Sequence, residues 1–234
     1  MNLWQSIADR LRGEIARGKW PPGTRLPPET ELAARFGVNR HTLRHATRVL
    51  ADEGLLYSRR GAGVFVAATP VEYPLSERVR FHRNIELGGK VPGRTIDSIL
   101  TRAAGEAEAE ALGLPAGAPV HVAEGVSLVD FRPVALFRSV YPARLLPDLP
   151  AALRRESSVT RALLACGVED YRRLQTRISA RIADAVQAAR LQVEPGCALL
   201  RTEALSAWDG RMVERAVTWW VAERVTLVLP HEGS

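Results

Sequence analysis

The stretch Pro27-Pro28-Glu29-Thr30-Glu31-Leu32-Ala33-Ala34-Arg35-Phe36-Gly37-Val38-Asn39-Arg40-His41-Thr42-Leu43-Arg44-His45-Ala46-Thr47-Arg48-Val49-Leu50 reads as two short helices either side of a tight turn. The prolines open the first helix, and Glu29 and Glu31 sit in its first turn, where the helix dipole favours acids. Leu32, Ala33 and Phe36 give it an apolar face, and Gly37 ends it. Asn39 is a good N-cap for the second helix, which runs to about Asp52 with Leu43, Ala46, Thr47 and Leu50 as its inner stripe. Two helices joined by a short glycine-bearing turn form a helix-turn-helix.

Outward from this core, Trp4 to Arg17 has the spacing of an amphipathic helix, closed by Gly18, and Trp20-Pro21-Pro22-Gly23 is a turn. After the second helix, Leu55 to Tyr57 and Val64 to Ala67 read as short strands around Arg59-Arg60-Gly61-Ala62-Gly63, a basic hairpin tip. Together these make a winged helix-turn-helix, over residues 1–68.

Charge supports a polyanionic partner. Residues 1–70 carry eleven Lys and Arg against six Asp and Glu, a net of +5, whereas residues 71–234 carry 21 against 20, a net of +1. Positive charge on a folded unit favours phosphate, because neutralising phosphates releases condensed counterions. The start of the second helix would enter the major groove and offer Asn39, Arg40, His41, Thr42 and Arg44 to base edges. Arg40 and Arg44 lie one turn apart and can each make a bidentate contact to guanine. Arg35, with Arg59, Arg60, Gly61 and Gly63 of the wing, completes the expected interface with double-stranded DNA.

Residues 69–77, with Pro70 and Pro74, read as a linker. Residues 78–234 alternate strands and helices. Strands are expected at 96–102, 120–129, 134–141, 173–182, 199–208 and 212–221, with turns at Asp130-Phe131 and Asp209-Gly210, and helices at 104–112, 146–153, 158–166 and 183–191. The fold class is therefore α+β. No apolar run approaches the roughly 20 residues that span a bilayer, and Met1 to Asp9 does not resemble a signal peptide, so a cytoplasmic protein is expected. Cys166 and Cys197 fit no metal or redox spacing, and no cofactor or metal is implied.

Four runs give a specific resemblance. They are Pro22-Gly23-Thr24-Arg25-Leu26-Pro27-Pro28-Glu29, the run Leu32 to Arg44, Leu50-Ala51-Asp52-Glu53-Gly54-Leu55-Leu56, and Gly61-Ala62-Gly63-Val64-Phe65-Val66. They resemble the GntR family of bacterial transcription regulators, which implies that Arg25, Arg40, Thr42, Arg44 and the Gly61/Gly63 wing take part in DNA binding. Thr30 departs from that family, which usually has arginine there.

The later chain resembles the HutC subfamily, whose effector domain is similar to chorismate lyase: an antiparallel sheet with packed helices. The run Arg172 to Arg181 is similar to regulators of phosphonate uptake and breakdown. This implies a small anionic effector of the phosphonate or phosphate-ester class and a homodimer on an inverted repeat. Arg80, His82 and Asn84 share a face if that segment is extended, as do Arg177 and Ser179 on their strand, and Glu214, Thr218 and Trp220 on theirs. With Phe81 and Arg138 these form the expected effector site. Glu124-Gly125-Val126-Ser127 and Phe137 depart from sugar-phosphate members, which place arginines and an acid there.

The resemblance also admits a HutC-type regulator of another pathway, such as sugar-phosphate, amino-sugar or histidine utilisation, and the scaffold admits two further readings. An enzyme would need a nucleophile–base pair or a metal cluster, and the sequence spacing offers neither. A structural DNA-coating protein would leave the large second domain without a task.

Overall fold

The computed structural model describes residues 3–59, 61–67, 70–78, 81–156 and 158–229. The chain divides into two units, Met1–Thr69 and Pro70–Ser234.

The first unit comprises α1 (Leu3–Ala16), α2 (Glu29–Phe36), α3 (Arg40–Asp52), β1 (Leu56–Arg59) and β2 (Gly63–Val66). Leu11, Leu43, Ala46 and Leu50 are fully buried where α1 and α3 meet, with Leu26, Leu32, Leu56 and Val66 around them. The turn between α2 and α3 follows from two residues. Gly37 adopts φ 65, a left-handed conformation that a Cβ would oppose, and its N–H caps the last carbonyls of α2. Asn39 then accepts a 2.8 Å bond from the Thr42 amide, which starts α3. β1 and β2 pair antiparallel, Tyr57 stacked on Phe65. Residues 23–26 run beside β2 with one antiparallel bridge, Arg25 to Phe65, held by Gly23 N–H to Val66 O and Leu26 N–H to Val64 O, both 2.8 Å.

The second unit contains β3 (Val71–Pro74), α4 (Phe81–Leu87), β4 (Pro92–Ala103), α5 (Glu106–Leu112), β5 (Pro119–Val129), β6 (Arg132–Pro142), α6 (Leu149–Arg155), α7 (Val159–Ala165), β7 (Arg172–Ile182), α8 (Ala185–Leu191), β8 (Ala198–Trp208), β9 (Arg211–Val221) and β10 (Val225–Val228). Six strands form one antiparallel sheet in the order β4-β5-β6-β9-β8-β7. The turns at Asp130-Phe131 and Asp209-Gly210 have both residues at positive φ, the geometry that matches a two-residue hairpin to strand twist.

Alternation along the strands divides the sheet into two faces. Ala135 and Tyr141 of β6, with Trp220 of β9, pack under α4, α6, α7 and β3. Leu136, Val140 and Val221 pack under α5 and α8.

Two segments differ from the sequence expectation. Val71–Pro74, read as linker, is a strand paired in parallel with β10. The segment around His82, read as extended, is the helix α4 from Phe81 onward. Phe81 and Ile85, four apart and both buried, set a helical period rather than an alternating one. Arg80 lies outside the described residues, as do Arg60 and the side chain of Arg59.

Candidate nucleic-acid interface and effector pocket

The start of α3 presents Arg40, His41 and Arg44 to solvent, opposite the buried stripe Leu43, Ala46 and Leu50. Asn39 and Thr42 are tied together at the cap, Thr42 Oγ1 donating to Asn39 Oδ1 at 2.9 Å. Arg44 is held by Glu29 of α2: its Nε lies 3.3 Å from Oε1 and its Nη2 2.8 Å from Oε2. That contact lowers the Glu29 pKa. Thr30 is exposed beside Glu29 on the first turn of α2.

In the wing, Arg25 is exposed and lies across Gly63. A Cβ at Gly63 would stand 2.9 Å from Arg25 Nε, and Gly63 has φ 109. The glycine therefore makes room for the arginine.

Arg35 has a second role. It is exposed and at the same time forms an ion pair with Glu14 of α1, Nη1 3.0 Å from Oε2 with Nη2 on Oε1, so part of its hydrogen-bonding capacity is spent inside the unit. Glu14 is buried and also accepts from Trp20 Nε1 at 2.8 Å and Lys19 Nζ at 3.1 Å. These donors, Arg35 foremost, hold its pKa at about 2. Helical periodicity alone places Glu14 among the polar positions of α1, so its role as a buried hub was missed.

In the second unit, a cavity of about 60 Å³ lies between the sheet and its α4–α6–α7 cover. Phe81, His82, Glu214, Thr218 and Trp220 line it, as expected from the sequence. So do Tyr73 of β3, Arg94 of β4, Ser127, Ser139, Tyr171 and Arg173, which were not expected. Tyr141 Oη donates to Glu214 Oε1 at 2.9 Å, and Trp220 Nε1 to Thr202 Oγ1 at 3.0 Å. A groove of about 220 Å³, lined by His82, Arg83, Glu86, Ser158, Thr160 and Arg161, adjoins the cavity.

The two arginines carry the electrostatics. Among the described residues, Arg94 Nε and Arg173 Nε and Nη1 are buried without a hydrogen-bond partner, as is His82 Nε2. Unpaired buried donors are costly, and an anion would satisfy them. Burial lowers the pKa of Arg173, and burial followed by the Arg94 charge lowers that of His82. The guanidinium of Arg94 lies 3.9 Å from the centre of the Phe137 ring. Phe137 in turn covers Gly125, where a Cβ would stand 1.9 Å from Thr95 O and 2.9 Å from the ring. The two departures noted in the sequence, Gly125 and Phe137, thus form one stack that supports Arg94.

Arg138, Arg177 and Ser179 do not join this cavity. Strand pairing puts Glu124, Arg138, Val217, Glu203 and Arg177 in one row, and Ser179 beside Arg201 and Trp219, all on the α5–α8 face. Arg138 is engaged there by Glu108 at 3.3 Å and Glu124 at 3.1 Å. The reason is a β-bulge between Arg173 and Gln175, where Leu174 is the extra residue. The bulge breaks alternation, so Arg173 faces the cavity although Arg177, four residues on, faces away. Asn84 lies on α4 outside the cavity lining, its Nδ2 buried and unpartnered among the described residues.

Comparison with known proteins agrees with this architecture. Residues 3–66 match the model of the bacterial regulatory proteins, gntR family, and residues 88–226 match the UTRA domain. The chain is 38% identical over 234 residues to the uncharacterized HTH-type transcriptional regulator RB1450 of Rhizobium meliloti, covering 96% of this chain and 93% of that one. It is 34% identical over 239 residues to the probable transcriptional regulator PhnF of Escherichia coli K12, covering 97% and 95%. The crystal structure of PhnF from Mycobacterium smegmatis shares the fold with a TM-score of 0.67 at 24% identity, over 95% of this chain and 99% of that chain. These relatives are regulators rather than enzymes. The chain belongs to the GntR family of bacterial transcriptional regulators, with the HutC-type architecture in which a helix-turn-helix unit precedes a UTRA domain.

Proposed function

We propose that this regulator is a repressor that binds an inverted-repeat operator as a homodimer and is released by a small anionic effector of the phosphonate or phosphate-ester class. The observation that carries the effector is the pair Arg94 and Arg173, whose buried Nε atoms have no hydrogen-bond partner among the described residues, in a cavity that also holds Glu214. Guanidinium groups match the oxygens of a tetrahedral anion, and Glu214 can accept from an amine or hydroxyl on the same molecule. The cavity suits the charged head, and the adjoining groove a short remainder. The resemblance of the run Arg172 to Arg181 to regulators of phosphonate uptake and breakdown supports the same class.

Arg25, Arg40, His41, Arg44 and the Gly61–Gly63 wing form the proposed DNA face, with two recognition helices about one DNA turn apart in the dimer. An effector shifts binding only through different affinities for the two arrangements of the dimer. Tyr73 offers a route. It lines the cavity, stacks 4.6 Å from Trp220, and belongs to the first strand after the DNA-binding unit.

Calorimetry of the full chain with methylphosphonate, 2-aminoethylphosphonate, glycerol phosphate and inorganic phosphate tests the pocket. Arg173→Ala should abolish binding and operator release, whereas Arg177→Ala should leave both intact. Normal release by Arg173→Ala would place the effector elsewhere.

A further inference from the structure

We propose that Glu29 is a positioning residue for base reading, which it controls by holding Arg44 along one edge. The inference rests on the reading of α3 as the recognition helix.

A free arginine side chain has many rotamers, and fixing it for a base contact costs side-chain entropy. Here the Glu29 carboxylate accepts from Nε and Nη2 of Arg44 together. The guanidinium is planar and rigid, so holding one edge fixes the plane and direction of the other. The end-on edge left over carries one Nη1 hydrogen and the second Nη2 hydrogen. A two-donor edge of this kind matches O6 and N7 of guanine. The Arg44 side chain is 65% exposed and that of Glu29 33%, so the arginine reaches beyond the acid toward solvent.

Glu29 is itself well placed to hold. It starts α2, where its charge is favoured, while Arg44 sits in the second turn of α3. Their bond spans the helix–turn–helix and ties the arginine to the scaffold. Among the described residues, no carboxylate bonds Arg40 or Arg48 in this way. A carboxylate on a face that meets phosphates also opposes indiscriminate binding. Glu29 therefore acts in opposite directions on the two components of affinity: it favours guanine reading and disfavours bare backbone attraction.

The test uses the full chain. A duplex selected from a randomised pool by the wild-type protein is compared with variants in which each guanine in turn becomes adenine, and with a scrambled duplex. Arg44→Ala should flatten the preference at one guanine. Glu29→Gln should narrow the preference at that same guanine by roughly threefold to tenfold, with affinity for the scrambled duplex equal or higher. Glu29→Asp, which keeps the charge, should recover part of the preference. Melting temperatures of all variants control for folding. Full guanine preference in Glu29→Gln, or an equal loss on every duplex, overturns the proposal. If Arg44→Ala leaves every preference unchanged, the reading of α3 beneath the proposal falls with it, and that outcome is separately visible.

Discussion

At the scale of single residues, Glu14 has the clearest energetic role in the DNA-binding unit. Its folded pKa of about 2 lies below the ordinary 4.5. A depressed carboxylate stabilises fully above the unfolded pKa and loses that contribution as pH falls through the folded one. The window is therefore pH 4.5 down to about 2. Because the Arg35 side chain is 33% exposed, the contribution is about 2 kcal/mol rather than the full value of the shift. Urea unfolding of wild type and Glu14→Gln should differ by that amount at pH 6 and converge toward pH 2; a gap independent of pH would rule out the ion pair as its source. Gly125 gives a second expectation. Its Cβ would meet a backbone oxygen, so Gly125→Ala should cost on the order of 1–3 kcal/mol in a melting experiment and weaken effector binding by shifting Phe137 beneath Arg94. The sequence drew attention to Gly125 and Phe137 only as departures, because their shared stack joins two strands whose register no local pattern reveals.

At the scale of elements, legibility follows period. The helices of the DNA-binding unit each bury one face, and the hairpins β5–β6 and β8–β9 are long strand pairs joined by recognisable turn residues, so both kinds of element are read directly, although β6 is buried on both faces. The candidate effector cavity was half legible. Glu214, Thr218 and Trp220 alternate on an unbroken stretch of β9 and were found together. Arg177 was placed in the site and Arg173 was not, because the extra residue between them leaves no mark in the spacing of side chains. Arg94 was missed because β4 begins before its alternating core. β3 was missed because four residues with a proline resemble a linker, and its partner β10 is about 150 residues away. That pairing has a test. Val71 N–H bonds Arg224 O at 2.8 Å and Leu75 N–H bonds Val228 O at 2.7 Å. A chain ending before Val225 should lose hydrogen-exchange protection at these amides and lose about tenfold in effector affinity as Tyr73 loosens, while operator binding persists. Unchanged exchange would show that α4 and the sheet hold β3 without its partner.

At the scale of the whole molecule, function is divided as charge is divided. A net +5 belongs to residues 1–70 and a nearly neutral balance to the rest. Operator affinity should fall steeply with salt, by roughly a thousandfold between 50 and 200 mM if the dimer covers six or more phosphates, whereas effector affinity should change far less. Filter binding at graded salt beside calorimetry would separate the two; parallel slopes would contradict the division. No described helix is long and apolar enough to cross a membrane.

The clasp between β3 and β10 also sets an order of events during synthesis. The DNA-binding unit closes on contacts made within its own residues, so it can fold as soon as it leaves the ribosome. β3 must then wait for β10, about 150 residues later, which at bacterial elongation rates is roughly ten to thirty seconds. For that interval each new molecule has a finished reader of DNA and an unfinished sensor.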